Sequence, residues 1–382
     1  MNSSGRLADF KGRDNNFNLL RIAAALLVVA EHAISTGRSG VDPLRLLFGI
    51  PLGDLGVDIF FILSGYLIAR SFAGKGLMEF AWARCLRIFP GLWVSTLVTV
   101  FVAGFFFTNI PPLQFFSSPD TVSYFAHNLT MLPGFGSQST LAHVPGLIEH
   151  LFNVPLWTLP HELQMYMLLA VVGLIFGLRP QYLAPLALFG ACTVIYAKMG
   201  GGHLLSIDRG RFIYFFFTGS FLYAIRQRVV LSAWLATAMA CVLVGAVLLS
   251  SSMLLRQGAL ALTLPYLVLW CAYIPGGFIR QWNRLGDYSY GIYIYGFPAQ
   301  ALLTAAGVVV SPLARFFGTL LCVVPIAAAS WHLLEQRALR APLPFTARAP
   351  VGASGRSPRP SPWRRTWRRR RTAVDSARHG RP

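Results

Sequence analysis

A charged side chain inside an apolar segment is costly unless it faces a cavity or a partner, so such residues are the first candidates for chemistry. Arg21, Glu31 and His32 share one apolar stretch. Arg21 and His32 are eleven residues apart, which on a helix returns them to within about 20° of one face and separates them by roughly 16 Å along the axis. A guanidinium at one end of a face and an imidazole at the other would suit an anion-binding group and a general base toward a hydroxyl. The alternative for His32 is a satisfied polar packing residue.

Arg84 and Arg87, in ARCLRIFPGLW, are three residues apart and project from the same side of a helix. Arginine forks bind phosphate in bidentate fashion, and with Arg21 the pair would make a cationic mouth. Read singly, each is an ordinary anchor at a membrane boundary. In GVDIFFILSGYLI, Gly56 and Gly65 permit close backbone approach, Asp58 stands near the opposite mouth, and Ser64 lies mid-helix with no nucleophile elbow around it. VPLWTLPHELQMYM carries Trp157, His161 and Glu162. Glu162 reads either as a carboxylate that complements a helix N-terminus or as a group that orients an imidazole or binds acceptor hydroxyls. An indole such as Trp157 can stack on a sugar ring.

The elements that hold these residues are apolar throughout. Of 382 residues, 55% are hydrophobic and 12% charged, with a mean hydropathy of +0.55. That composition excludes an ordinary soluble enzyme and predicts an all-α, polytopic bundle of transmembrane helices. Ten spans of membrane length are expected, at about 19–36, 56–73, 88–108, 163–178, 181–198, 211–226, 231–250, 254–275, 286–308 and 313–335. The breaks containing Arg70, Lys75, Arg84 and Arg87, then Arg179, then Arg226 and Arg228, then Arg280 and Arg284 are basic. The long connection from Thr108 to His161 has no Lys or Arg. The positive-inside rule therefore puts both termini in the cytoplasm and that connection outside, against a minority of basic residues such as Arg38, Arg45 and Lys198 on the outer side.

The chain divides into a cytoplasmic N-terminal segment (1–18), a transmembrane domain (19–340) and a Pro/Ser/Arg-rich tail (341–382). Much of the net charge of +19 sits in that tail, where WRRTWRRRR spans Trp363 to Arg371 and Asp375 is the only acid. Beside a membrane such a segment is expected to stay disordered and to contact anionic lipid rather than nucleic acid. The five cysteines stand singly in apolar stretches, without metal-binding spacing, and no metal site is expected.

Four of these motifs, in this order, resemble the integral-membrane acyltransferases known as acyltransferase family 3. That family includes O-acetyltransferases of bacterial polysaccharides, peptidoglycan and nodulation factors, and some macrolide acyltransferases. LRIAAALLVVAEH is similar to the family's Arg, ten residues, His motif at Arg21 and His32; GVDIFFILSGYLI resembles its second-helix signature; RCLRIFP resembles its RxxR motif; and VPLWTLPHEL looks like the segment with its Trp and acid. The likeness runs from about Phe17 to Arg340. SYGIYIYGFP departs from the family's SYxIYLxHxP, because Gly296 stands where a histidine is frequent.

The resemblance implies a multi-pass enzyme of the bacterial cytoplasmic membrane that holds no bound cofactor. Its donor would be acetyl-CoA or another acyl-CoA, and its acceptor a hydroxyl of a carbohydrate or lipid-linked glycan, with a separate partner protein possible on the outer side. Arg21, Arg84 and Arg87 would bind the donor, His32 and Glu162 would be catalytic, and Trp157 and Asp58 would contact the acceptor. His32 would act either as general base or as covalent carrier. The rival readings are a transporter or flippase of a glycan intermediate, and a membrane scaffold working through its basic tail.

Overall fold

The computed structural model describes residues 4–10, 12, 14–35, 40–131, 153–200, 206–284, 286–308 and 311–343. Much of the expected outer connection, Lys11, Arg13, Arg38 and all of the tail beyond residue 343 lie outside the described residues. The chain forms one unit, Met1–Ala341, and a second, Pro342–Pro382.

The first unit is helical: α1 (Phe17–Ser35), α2 (Pro43–Phe48), α3 (Leu52–Gly74), α4 (Leu77–Phe106), α5 (Pro112–Ser117), α6 (Pro119–Thr130), α7 (Thr158–Ile175), α8 (Pro180–Lys198), α9 (Ile207–Ala224), α10 (Ala233–Leu249), α11 (Met253–Tyr273), α12 (Ser289–Ala305), α13 (Pro312–Ser330) and α14 (Gln336–Ala338). Among the described residues, seven helical stretches are long and apolar enough to cross a membrane: α1, α3, α4, Val154–Ile175, α8, α11 and Pro312–Ala338. α10 is apolar but shorter.

Two differences from the sequence expectation bear on the site. α4 begins at Leu77, eleven residues before the expected start at 88, because the arginines taken as a boundary are accommodated inside the helix. Arg84 and Arg87 therefore lie two to three turns in, not in the first turn. The connection after α4 also folds: the Ser118 hydroxyl accepts a bond from the Thr121 amide at 3.2 Å, and Pro119 occupies the first turn of α6. These helices close a small separate core of Val100, Phe107, Phe115 and Tyr124.

α3 is the central helix. A Cβ placed on Gly65 would come within 1.9 Å of the Phe216 carbonyl on α9, and one on Gly219 within 2.3 Å of the Ile62 carbonyl on α3. The two glycines thus allow a backbone-to-backbone crossing that no larger residue fits. On its other side Gly56 approaches the Ala24 carbonyl of α1, with 2.5 Å left for a Cβ. With lipid tails as apolar as the side chains, such close dispersion contact holds membrane helices together better than burial alone.

The ends of the bundle are sorted by hydrogen bonds. Ser4–Arg6 pairs antiparallel with Val230–Ser232, a two-stranded ribbon that the sequence pattern did not announce. The Asn16 amide donates to the carbonyls of Cys271 (2.9 Å) and Pro275 (2.8 Å), and Arg280 pairs with Asp14. The start of α1 therefore lies with the end of α11 and the break between α9 and α10. At the opposite end, buried Arg315, in the first turn of α13, donates to the Ala33 carbonyl at 2.7 Å, and Gln257 to the Phe48 carbonyl at 2.7 Å.

Candidate active site

α1, α3, α4, α7 and the start of α12 surround a cavity whose polar lining includes Arg21, Ser64, Arg84, Arg87, Glu162 and Tyr166. All three arginines singled out in the sequence meet here with Glu162. They are not equivalent. Arg21 Nη1 and Arg87 Nη2 donate to the same oxygen, Asp287 Oδ2, at 2.7 and 2.6 Å. The second carboxylate oxygen accepts from Ser289 Oγ at 2.5 Å. Arg87 Nη1 also stands 3.6 Å from Glu335 Oε2. Its guanidinium carbon lies 5.6 Å from the ring centre of Tyr290 and 5.8 Å from that of Trp331, within reach of cation–π attraction.

Arg84 has no carboxylate within ion-pair distance among the described residues, and its Nε is buried without a hydrogen-bond partner. A buried guanidinium nitrogen left without an acceptor costs free energy that a ligand oxygen would recover. Arg84 is therefore the cation of the cavity best placed to take an anion.

Glu162 sits just past the first turn of α7. Ser64 Oγ donates to Glu162 Oε1 at 2.8 Å, the Tyr166 hydroxyl bonds the same oxygen, and the two hydroxyls are 3.0 Å apart. Ser64, which no elbow marks as a nucleophile, is in the cavity as a donor to this carboxylate.

His32 is not in the cavity lining. Its Nδ1 is bonded to Glu31, and its ring meets Phe297 of α12 edge-on at 5.0 Å. The carboxylate that holds this imidazole is thus its sequence neighbour and not Glu162. Phe297 follows Gly296, whose Cβ position lies 3.0 Å from the Val29 side chain of α1. The departure from the family's pattern therefore falls at the α1–α12 contact, next to His32.

Two residues read as acceptor contacts lie elsewhere. Asp58 is buried and accepts from Arg211 Nη2 at 2.9 Å, in a cluster where Arg211 also binds Asp54 at 2.6 Å and Asp208 at 3.3 Å. Its carboxylate is committed to joining α3 to α9, and it does not line the cavity. Trp157 packs on His161 at 5.7 Å and Phe212 at 5.4 Å. Phe212 in turn stacks on Phe61 at 4.3 Å, and Phe61 is the ring that reaches the cavity. Trp157 thus stands behind the wall and not in it.

The partners that sequence reasoning missed are Asp287, Glu335, Glu31 as the histidine's carboxylate, and Tyr166. A signal existed. With 14 acidic residues against 33 basic ones, an acid inside or beside an apolar helix is itself unusual, and Asp287 stands two residues before one.

Membrane-length helices closing on an arginine-lined cavity define an integral-membrane protein with a strongly cationic site among its helices. The chain belongs to the acyltransferase family, whose acyltransferase-domain model matches residues 14–332, and it is an O-acyltransferase. It is 26% identical over 346 residues to an O-acetyl transferase of Shigella phage Sf6, covering 86% of this chain and 96% of that protein. It is 29% identical over 381 residues to nodulation protein 10 of Rhizobium leguminosarum bv. viciae, covering 86% and 94%. A shorter likeness, 28% over 172 residues, joins 41% of this chain to 24% of the peptidoglycan O-acetyltransferase OatA of Listeria monocytogenes. No solved structure matches the chain.

Proposed function

We propose that this enzyme transfers an acyl group, acetyl in the first instance, from acyl-CoA to a hydroxyl of a carbohydrate-containing acceptor in the bacterial cell envelope. The observation that carries the reading is the convergence of Arg21, Arg84 and Arg87 with Glu162 on one cavity, with His32 toward the far end of the helix that carries Arg21. In this reading the donor's phosphates meet Arg84 and the Arg21–Arg87 pair, since charge-assisted bonds to phosphate are the strongest a guanidinium makes. The pantetheine arm extends along α1 toward His32.

His32, held at Nδ1 by Glu31, takes the proton of the acceptor hydroxyl as its oxygen attacks the thioester carbon. The carbon–sulfur bond then breaks, and the thiolate leaves with a proton as free coenzyme A. A covalent route through His32 would form an acyl-imidazole first. Glu162, which already accepts bonds from two hydroxyls, is the cavity carboxylate available to a substrate hydroxyl or amide N–H.

The names of the relatives, an O-acetyl transferase and a peptidoglycan O-acetyltransferase, support acetyl as the group transferred and a cell-envelope glycan as the acceptor. They do not favour the transporter reading. In this reading the enzyme spans the cytoplasmic membrane ten times with both termini cytoplasmic, and the basic breaks support that orientation. Membrane lipid surrounds it, and a separate outer-side protein is a further partner in this scheme.

The purified protein should bind coenzyme A and release it from acetyl-CoA when glycan acceptor is added. Failure to transfer acetyl to any envelope fraction, with no acyl mass lost from the glycans of a deletion strain, would end the proposal. Reporter fusions test the orientation: one after Ser118 should be extracytoplasmic, and ones after Lys75 or Arg228 cytoplasmic.

A further inference from the structure

We infer that Asp287 is a positioning residue that joins Arg21 of α1 and Arg87 of α4 into one two-guanidinium phosphate seat, leaving Arg84 to contact the ligand with its charge uncompensated. The inference rests on the reading of the cavity as an acyl-CoA site, and it assigns to Asp287 a role that no motif of the sequence gives it.

Two guanidiniums brought from different helices to one cavity wall repel each other. A single carboxylate oxygen 2.7 and 2.6 Å from the two cancels that repulsion at the point where it is greatest. The carboxylate is buried, with 8% of its side chain exposed, and its other oxygen is occupied by Ser289. Both of its oxygens are engaged within the protein, by three hydrogen bonds in all, which is the arrangement of a fixed brace. A counter-ion poised to leave when phosphate arrives would instead be exposed and lightly held. Arg87 is enclosed further by Glu335 and the rings of Tyr290 and Trp331. The stretch Trp331–Glu335, which supplies Trp331 and Glu335, is wound as a π-helix, a local widening that recurs at functional sites.

The charges around the cavity then have separate uses. Arg21 and Arg87 are balanced by Asp287 and Glu335, while Arg84, three residues before Arg87, has no such partner. The two arginines of the RxxR motif therefore do different work. Arg87 is the braced half of the seat, and Arg84 meets the ligand without a carboxylate of its own.

The test measures coenzyme A binding by calorimetry, together with the acetyl-CoA dependence of transfer, on the full chain in detergent. Asp287→Asn keeps the shape and removes the charge. It should weaken coenzyme A binding and raise KM for the donor by roughly ten- to hundredfold, with kcat at saturating donor within about threefold of the parent. Asp287→Glu, which keeps the charge but lengthens the side chain, should recover part of the loss. Binding by Asp287→Asn as tight as the parent's, or tighter, would overturn the inference, because a displaceable counter-ion predicts that sign. So would a fall in kcat with KM unchanged.

If Asp287→Asn does not purify folded, Asp287→Glu decides alone. A several-fold rise in KM at constant kcat supports the brace, and unchanged KM overturns it. Should the parent itself not bind coenzyme A, the functional reading fails, and the brace is judged by thermal unfolding of the ligand-free chain. There, Asp287→Asn and Arg21→Gln should be strongly non-additive if the two act as one unit, and additive if they do not.

Discussion

Near one end of α1, Arg21 shares an acid with Arg87, and a second acid and two aromatic rings enclose that second arginine. Toward the other, His32 is held by its neighbour Glu31 and by the edge of Phe297. The first region joins α1, α4, α12 and the π-helical stretch after α13; the second is assembled from α1 with one ring from α12. The contrast teaches how the work is divided. A seat for several phosphates must keep like charges together, which takes buried counter-charges from distant parts of the chain. A proton-transfer group needs chiefly orientation, which a neighbouring carboxylate supplies.

The largest effect should come from the histidine region. His32→Ala is expected to lower turnover by roughly 10² to 10⁴ fold while coenzyme A still binds, as for loss of a general base, and by more if the route is covalent. Near-normal turnover in that variant, measured by release of free thiol in the presence of acceptor, would show that the two regions are not divided in this way.

Next in size is Arg87→Ala. It leaves Asp287 and Glu335 buried with less compensation, and breaking a buried pair costs on the order of 3 to 5 kcal/mol. The loss should appear as a lower thermal midpoint of the detergent-solubilised protein as well as weaker donor binding. Arg84→Ala should behave differently. Donor affinity should fall by about 1.5 to 3 kcal/mol, the value of a charge-assisted bond, with the thermal midpoint held or raised because a cation with a buried, unbonded Nε and no carboxylate partner has been removed. Equal thermal losses in the two variants would erase the distinction between the braced arginine and the unbraced one.

Glu31→Gln is smaller again. It keeps a hydrogen-bond acceptor beside His32 but drops the charge that favours one orientation and tautomer, so kcat should fall by about tenfold with KM for the donor unchanged. A change confined to KM would place Glu31 with the binding region instead. The smallest effect is expected from truncation after Arg340, which removes the basic tail and should leave most of the transfer activity of inserted protein while reducing its affinity for anionic lipid vesicles. Complete loss of activity in a stably inserted truncation would revive the scaffold reading.

What the sequence determined by itself follows from local physics. Composition and run length gave a helical membrane protein, because only helices satisfy the backbone inside lipid over such stretches. Gly56 and Gly65 were legible as close-approach points, and Arg21, His32, Arg84, Arg87, Trp157 and Glu162 as the residues worth following, since expensive charges and motif spacing are written along the chain. The boundaries of α4 were not legible, because a charge that ends a span in lipid is tolerated within a helix once it has a partner or cavity.

Partnership was decided only by the tertiary structure. Asp287 is 266 positions from Arg21 and 200 from Arg87, and no periodicity relates residues so far apart. Asp58 reads as an acceptor contact near a helix mouth, and the fold pairs it with Arg211, 153 positions on. Glu162 reads as a helix cap, an orienter of an imidazole or a ligand of acceptor hydroxyls; the fold gives it to Ser64 and Tyr166 and leaves the His32 imidazole to Glu31. A side chain's type is a local property, whereas its electrostatic partner depends on which helices cross beside it, and that is settled by packing.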